Sequence, residues 1–127
     1  MGEAEQRDLI TRYVAAYNRF DVDGMLALLS DDVRFENVAS GQVTASTSGA
    51  AEFRALAERS AALFTEREQR VTDLVFRGGV AMASIAYRGV LAADVPGGPP
   101  AGSVLEMAGE SEFEFAGSRI SRITDRS

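Results

Sequence analysis

Between Ser103 and Phe115 the chain reads SVLEMAGESEFEF, and this stretch limits the fold more strictly than any other. In an extended strand, successive side chains point to opposite faces. Leu105, Met107, Gly109, Ser111, Phe113 and Phe115 then share one face, and Glu106, Glu110, Glu112 and Glu114 share the other. Carboxylates on a covered core face each carry a heavy desolvation cost. The odd-numbered face is therefore the buried one. The glutamates face solvent or pair with arginines in a subunit interface. Arg88, Arg119 and Arg122 on adjoining strands are cross-strand partners, each pair adding about 0.2–1 kcal/mol.

The rest of the chain divides by its period. Residues 3–19 place Leu9, Ile10, Tyr13, Val14 and Tyr17 at helical spacing. Asp21 can cap a second, shorter helix that carries Met25, Leu26, Leu28 and Leu29. DDVRFEN then alternates, with Val33, Phe35 and Asn37 on one face, and ASGQVTASTSG reads as a loop. Thr47 or Ser48 can cap a third helix over 49–64, with Phe53, Leu56, Ala57, Leu63 and Phe64 as its stripe. FTERE, at its end, reads as solvated ion pairs. After Glu68 the period changes from helical to alternating. QRVTDLVF, VAMASIAYRGVLA, SVLEMAGESEFEF and RISRITD read as four strands, and DVPGGPPAG as a Pro/Gly loop. The predicted order is ααβαββββ, an α+β plan in one domain over residues 1–127.

Composition removes several functions. The chain has no cysteine and no histidine, so disulfides, thiolate metal sites and the commonest general base are absent. No metal constellation and no cofactor are expected. The Gly78-Gly79 and Gly97-Gly98 pairs do not precede a helix at phosphate-cradle spacing, so no nucleotide site follows. With 13 basic and 19 acidic residues and no basic run, nucleic acid is not an expected partner. The longest apolar run is far below the ~18 residues of a membrane span. MGEAEQRD is too polar and acidic for a signal peptide, so a cytoplasmic protein is expected.

RYVAAYNRFDVDGMLALLSDDVRFEN, ASTSGAAEFRAL and the closing FEFAGSRISRI carry a resemblance that covers almost the whole chain. They resemble the nuclear transport factor 2-like superfamily and, within it, the SnoaL-like proteins and the ketosteroid isomerases. The resemblance implies a cone-shaped, cystatin-like roll, with helices packed on a strongly bent mixed or antiparallel sheet. It implies an apolar pocket at the open end and a homodimer through the outer face of the sheet. In ketosteroid isomerases a Tyr on the first helix donates to the substrate oxyanion, an Asp ending the first strand shuttles the proton, and a protonated Asp on a late strand is the second donor. By resemblance these positions fall on Tyr13, Asn37 and Ser111.

Asn has no titratable proton and Ser is a weaker donor than a neutral carboxylic acid. Ketosteroid isomerisation at an enzyme-like rate is therefore not expected. Phe35-Glu36-Asn37 is also similar to the limonene epoxide hydrolases, where a Tyr and an Asn hold a water that an Asp activates. Phe35 replaces that Tyr. SnoaL-type cyclases use a His and an Asp, and this chain has no His.

Tyr13 and Asn37 are thus the candidate catalytic residues. Tyr17, Phe35, Phe53, Ile85, Tyr87, Met107, Ser111 and Phe113 are the expected lining of a site for a small apolar ligand. Each has a plainer reading. Tyr13 can be a packed core tyrosine, Asn37 a strand end satisfying local backbone, and Ser111 a small residue making room. Asp125 can be a last-strand carboxylate, but it reads first as a solvated tail residue. Two functions stay open. One is isomerisation, cyclisation or hydration of a small hydrophobic or aromatic molecule. The other is non-catalytic ligand binding or protein assembly on the same fold.

Overall fold

A computed structural model describes residues 1–127. Helix α1 spans Glu3–Asn18 and α2 spans Val22–Leu26. Asp21 caps α2 by accepting from the Gly24 N–H at 2.9 Å. Strands β1 (Leu29–Ala39) and β2 (Gln42–Ser48) precede α3 (Ala50–Ala61). Strands β3 (Phe64–Arg77), β4 (Val80–Leu91), β5 (Val104–Ala116) and β6 (Arg119–Arg126) complete the chain. The six strands form one sheet in the order β2-β1-β6-β5-β4-β3. Only β1 and β6 run parallel; the other neighbours are antiparallel.

Two local expectations are corrected. GQVTASTSG is not a loop: residues 42–48 form β2, paired with β1. Ser40 and Gly41 both have positive φ (52° and 77°), the backbone of a two-residue hairpin turn, and β-branched Val43, Thr44 and Thr47 follow it. The order is therefore ααββαββββ. The third helix stops at Ala61 and begins after Gly49 (φ 89°) without a side-chain cap. Instead the Ser48 N–H donates to Glu52 Oε1 at 3.0 Å. Phe64 and the FTERE run belong to β3.

The sheet curls around the helices. Helix α1 packs on β3 at one edge, α3 packs on β1 and β2 at the other, and α2 bridges them. Irregular pairing at Phe64/Glu66 and Val71/Asp73 in β3, and at Asn37/Val38 in β1, supplies bends. Asn18 ties the end of α1 to β3: its Nδ2 donates to the Gln69 carbonyl at 3.0 Å, and its Oδ1 accepts from the Gln69 N–H at 2.7 Å.

The inner face of β5 is the one that the alternation requires. Ser111 and Phe113 are buried, whereas Glu106 and Glu110 are exposed. Arg88 stands opposite Glu106 in β4 and Arg122 opposite Glu114 in β6, with Arg122 Nε 3.8 Å from Glu114 Oε2. Arg119 stands opposite Ala116 and joins no ion pair. Arg126 pairs with Glu112 instead.

A continuous inner row runs across five strands through Phe35, Ile123, Phe113, Ala81 and Phe76. Phe113 is 1% exposed and meets Tyr13 edge-on, with ring centroids 6.0 Å apart. Phe113→Ala is expected to cost about 3–5 kcal/mol in denaturant unfolding with an unchanged slope, the range for emptying a large buried aromatic site. A loss below about 1 kcal/mol would reject this placement.

Candidate functional site

The curled sheet and the helices enclose a cavity of about 560 Å³. Its size falls in the range of small-molecule sites, and its wall is mainly apolar. Of the residues expected from the sequence, Tyr13, Tyr17, Phe35, Asn37, Phe53, Ile85, Tyr87, Met107 and Ser111 line it. Phe113 does not; it fills the core behind Tyr13. Met107 sits at an exposed part of the wall, half open to solvent.

The sheet register assembles the polar end. Asn37 on β1 lies beside Asp125 on β6, and Asp125 lies beside Ser111 on β5. Ser111 Oγ donates to Asp125 Oδ1 at 2.6 Å. Asp125 is therefore no solvated tail residue: it lines the cavity. Burial pushes its carboxyl up to about 6, against the lowering effect of the Ser111 hydrogen bond. The expectation of no ketosteroid-type chemistry assumed a cavity without a carboxylate, and Asp125 removes that assumption. A signal for it was present, since Ile123 and Asp125 are two residues apart and must share a face.

Gly109 permits this arrangement. A Cβ there would stand 2.5 Å from the Arg126 carbonyl oxygen, so a side chain would push away the strand that carries Asp125. Asn37 donates from Nδ2 to Thr44 Oγ1 at 2.8 Å on β2. Its amide is thus held by its hairpin neighbour while the residue lines the cavity.

Tyr13 projects from the buried stripe of α1. Its pKa is raised well above the usual phenol value, first by burial and then by the nearby charge of Asp125. It therefore stays a neutral hydroxyl donor at physiological pH. The Tyr17 hydroxyl donates to that of Tyr87 at 3.2 Å, and burial raises both pKa values.

Arg67, within the FTERE run expected to form solvated ion pairs, is 5% exposed and lines the cavity. Its Nε donates to the Tyr17 carbonyl at 2.9 Å, near the C-terminal end of α1. Its guanidinium carbon lies 3.7 Å from the Tyr17 ring centroid and 4.6 Å from that of Phe20. A strand-start Arg two positions from Gln69, on the cavity side, had no distinguishing mark in the sequence. The bulge at Phe64/Glu66 decides which way it points.

No curated protein resembles the chain closely enough to count as a match. Solved structures do. A proposed polyketide cyclase from Xanthomonas campestris pv. campestris is 25% identical, with 98% of this chain and 90% of that one covered at a TM-score of 0.84. A second proposed polyketide cyclase, from Pseudomonas putida KT2440, is 30% identical, with 92% and 86% covered and a TM-score of 0.71. A cystatin-fold protein from Novosphingobium aromaticivorans, 19% identical, covers 93% and 94% at a TM-score of 0.72 and shares the fold. The SnoaL-like domain itself matches residues 10–123, from the stripe of α1 through the inner face of β6. The match takes in most of the residues that line the cavity and ends just before Asp125, and the chain belongs to the SnoaL-like family.

Proposed function

We propose that the cavity holds a small apolar or aromatic carbonyl compound and that Asp125 moves a proton on it. The observation that carries this reading is the Ser111–Asp125 pair on the cavity wall. A base works best when its pKa lies near the operating pH, and a carboxyl at about 6 meets that condition. Ser111 occupies Oδ1, which leaves Oδ2 to take a proton from a carbon next to the ligand's carbonyl. Electrons from the broken C–H bond pass to the carbonyl oxygen, and the Tyr13 hydroxyl stabilises the charge that develops there. Where a neighbouring double bond makes the enolate a dienolate, it recovers the proton from Asp125 at its far carbon, which is isomerisation; alternatively its carbon attacks a second carbonyl of the same molecule, whose oxygen takes the electron pair and then the Asp125 proton, which is cyclisation. Asn37 takes no proton and serves as a neutral polar wall. The names of the polyketide cyclase relatives favour the same class.

The reading is tested by α-proton exchange of 2-tetralone in D2O, followed by NMR. Wild type is expected to accelerate exchange over buffer, with a rate that rises as pH passes about 6. Asp125→Asn should lower it about 10²–10⁴-fold. Tyr13→Phe should lower it about 10²–10³-fold while the ketone still binds. An Asp125→Asn protein as fast as wild type would end this proposal.

Stability should carry the opposite sign. The folded-state pKa of Asp125, about 6, lies above the ordinary 3.8. Between those values the folded chain holds a proton that the unfolded chain has lost. The contribution is present below about pH 4 and disappears as pH rises through about 6. Asp125→Asn should therefore be the more stable protein at pH 8, by up to about 3 kcal/mol, and should lose that advantage near pH 4. Urea melts at the two pH values check this.

The outer face carries a charge network suited to a two-fold contact. Arg122 Nη2 lies 2.6 Å from Glu36 Oε1, and Arg126 Nη2 lies 3.7 Å from Glu112 Oε2. A homodimer through this face, burying roughly 1,200–2,000 Å², is the assembly this reading favours. Light scattering at micromolar concentration should give twice the chain mass of 13.6 kDa; the monomer mass would refute the dimer.

A further inference from the structure

The cavity has a second polar end, on β3 and β4, that the proton transfer does not use. Arg67 is its centre. It is 5% exposed and has no acidic partner among the ion pairs of the chain, although Arg12, Arg19, Arg54, Arg122 and Arg126 all have one. Its Nε is taken by the Tyr17 carbonyl, and its Nη2 is buried without any hydrogen-bond partner. Two aromatic rings offset part of the cost of burying this charge, but they accept no proper hydrogen bond.

Tyr87 adds a second free donor. It accepts from Tyr17 at 3.2 Å, so its own proton is available to something else. Both residues line the cavity, and they belong to adjacent strands, with Arg67 opposite Gly89 and Gln69 opposite Tyr87. Gly89 keeps this corner passable, since a Cβ there would meet the Phe64 ring at 2.8 Å.

The charge balance of the wall points the same way. The whole chain has a net charge of −6. Among the lining residues, the Arg126 guanidinium turns outward to Glu112 and Glu110 lies on the exposed face, which leaves Arg59 and Arg67 against Asp125. Asp125 lies on β6, three strands from β3. A ligand that presented its reacting carbon to Asp125 would direct its far end toward Arg67.

We infer that Arg67 and Tyr87 form a subsite for a carboxylate, so that the ligand is an aromatic carboxylic acid held by its anion. With Nε held by the Tyr17 carbonyl, the Nη end of the planar guanidinium remains to meet a carboxylate. The inference rests on the reading of the cavity as a ligand site and names the class of molecule that site takes.

The test compares 2-naphthoate with 2-naphthamide, its neutral counterpart of the same shape, by calorimetric titration at pH 8 and low salt. Wild type should bind the naphthoate at least about tenfold more tightly. Arg67→Met should abolish that preference and still bind the amide. Tyr87→Phe, which keeps the guanidinium, should reduce naphthoate affinity several-fold and gives the answer if Arg67→Met does not fold. Arg119→Gln, which removes an exposed cation outside the cavity, should keep the preference. Equal affinity of the two ligands for wild type would overturn the subsite while leaving the cavity reading intact. A preference that survives in Arg67→Met, or one that vanishes in Arg119→Gln, would also overturn it. If neither ligand binds, the subsite and the cavity reading fall together.

Discussion

The site depends on the parallel pairing of β1 with β6. This contact inserts the last strand between the first strand and β5, and so puts Asn37, Asp125 and Ser111 side by side. Without it Asp125 would belong to a solvated end. With it, the Ser127 N–H donates to the Val38 carbonyl at 2.9 Å and the Ser40 N–H to the Ser127 carbonyl at 3.1 Å. The end of the chain is thereby fixed against the hairpin. The close approach of Arg126 to Gly109 completes the seat.

That placement sets stability against chemistry. A carboxylate in an apolar cavity is penalised by lost hydration, and the single Ser111 bond does not cancel the penalty. The same penalty moves its pKa into the range where a carboxyl can exchange protons near neutrality. Arg67 has the matching problem with the opposite sign: it is buried, ring-stacked and only partly hydrogen-bonded. Buried groups kept in such states cost folding energy that packing elsewhere must offset. The row from Phe35 through Phe113 to Phe76 supplies that packing below the cavity.

Membership of the SnoaL-like family fixes the frame but not the reacting groups. By resemblance to the ketosteroid isomerases, two acidic positions fall on Asn37 and Ser111. In this chain the carboxylate stands on β6 between them, one strand spacing from each. A cavity wall built from several strands can carry a carboxylate one strand away from the positions that the resemblance indicates. Reading positions along one strand at a time misses such a carboxylate.

The sequence by itself determined the helix stripes, the strand periods and the buried face of β5, because burial of apolar side chains at periods of 3.6 and 2 is a local property. It also placed Tyr13, Tyr17, Phe35, Ile85 and Tyr87 on the side that the cavity occupies. It mistook β2 for a loop, since small polar residues carry a weak strand signal and the Ser40-Gly41 turn is short. It set Phe113 in the lining, because one strand face serves both core and cavity and the dividing line depends on where α1 lies. Only the tertiary structure decided the surroundings of Asp125 and Arg67. Their surroundings come from β1, β5, α1 and β4, segments distant in the chain, and desolvation is set by those neighbours rather than by the residues beside them in sequence.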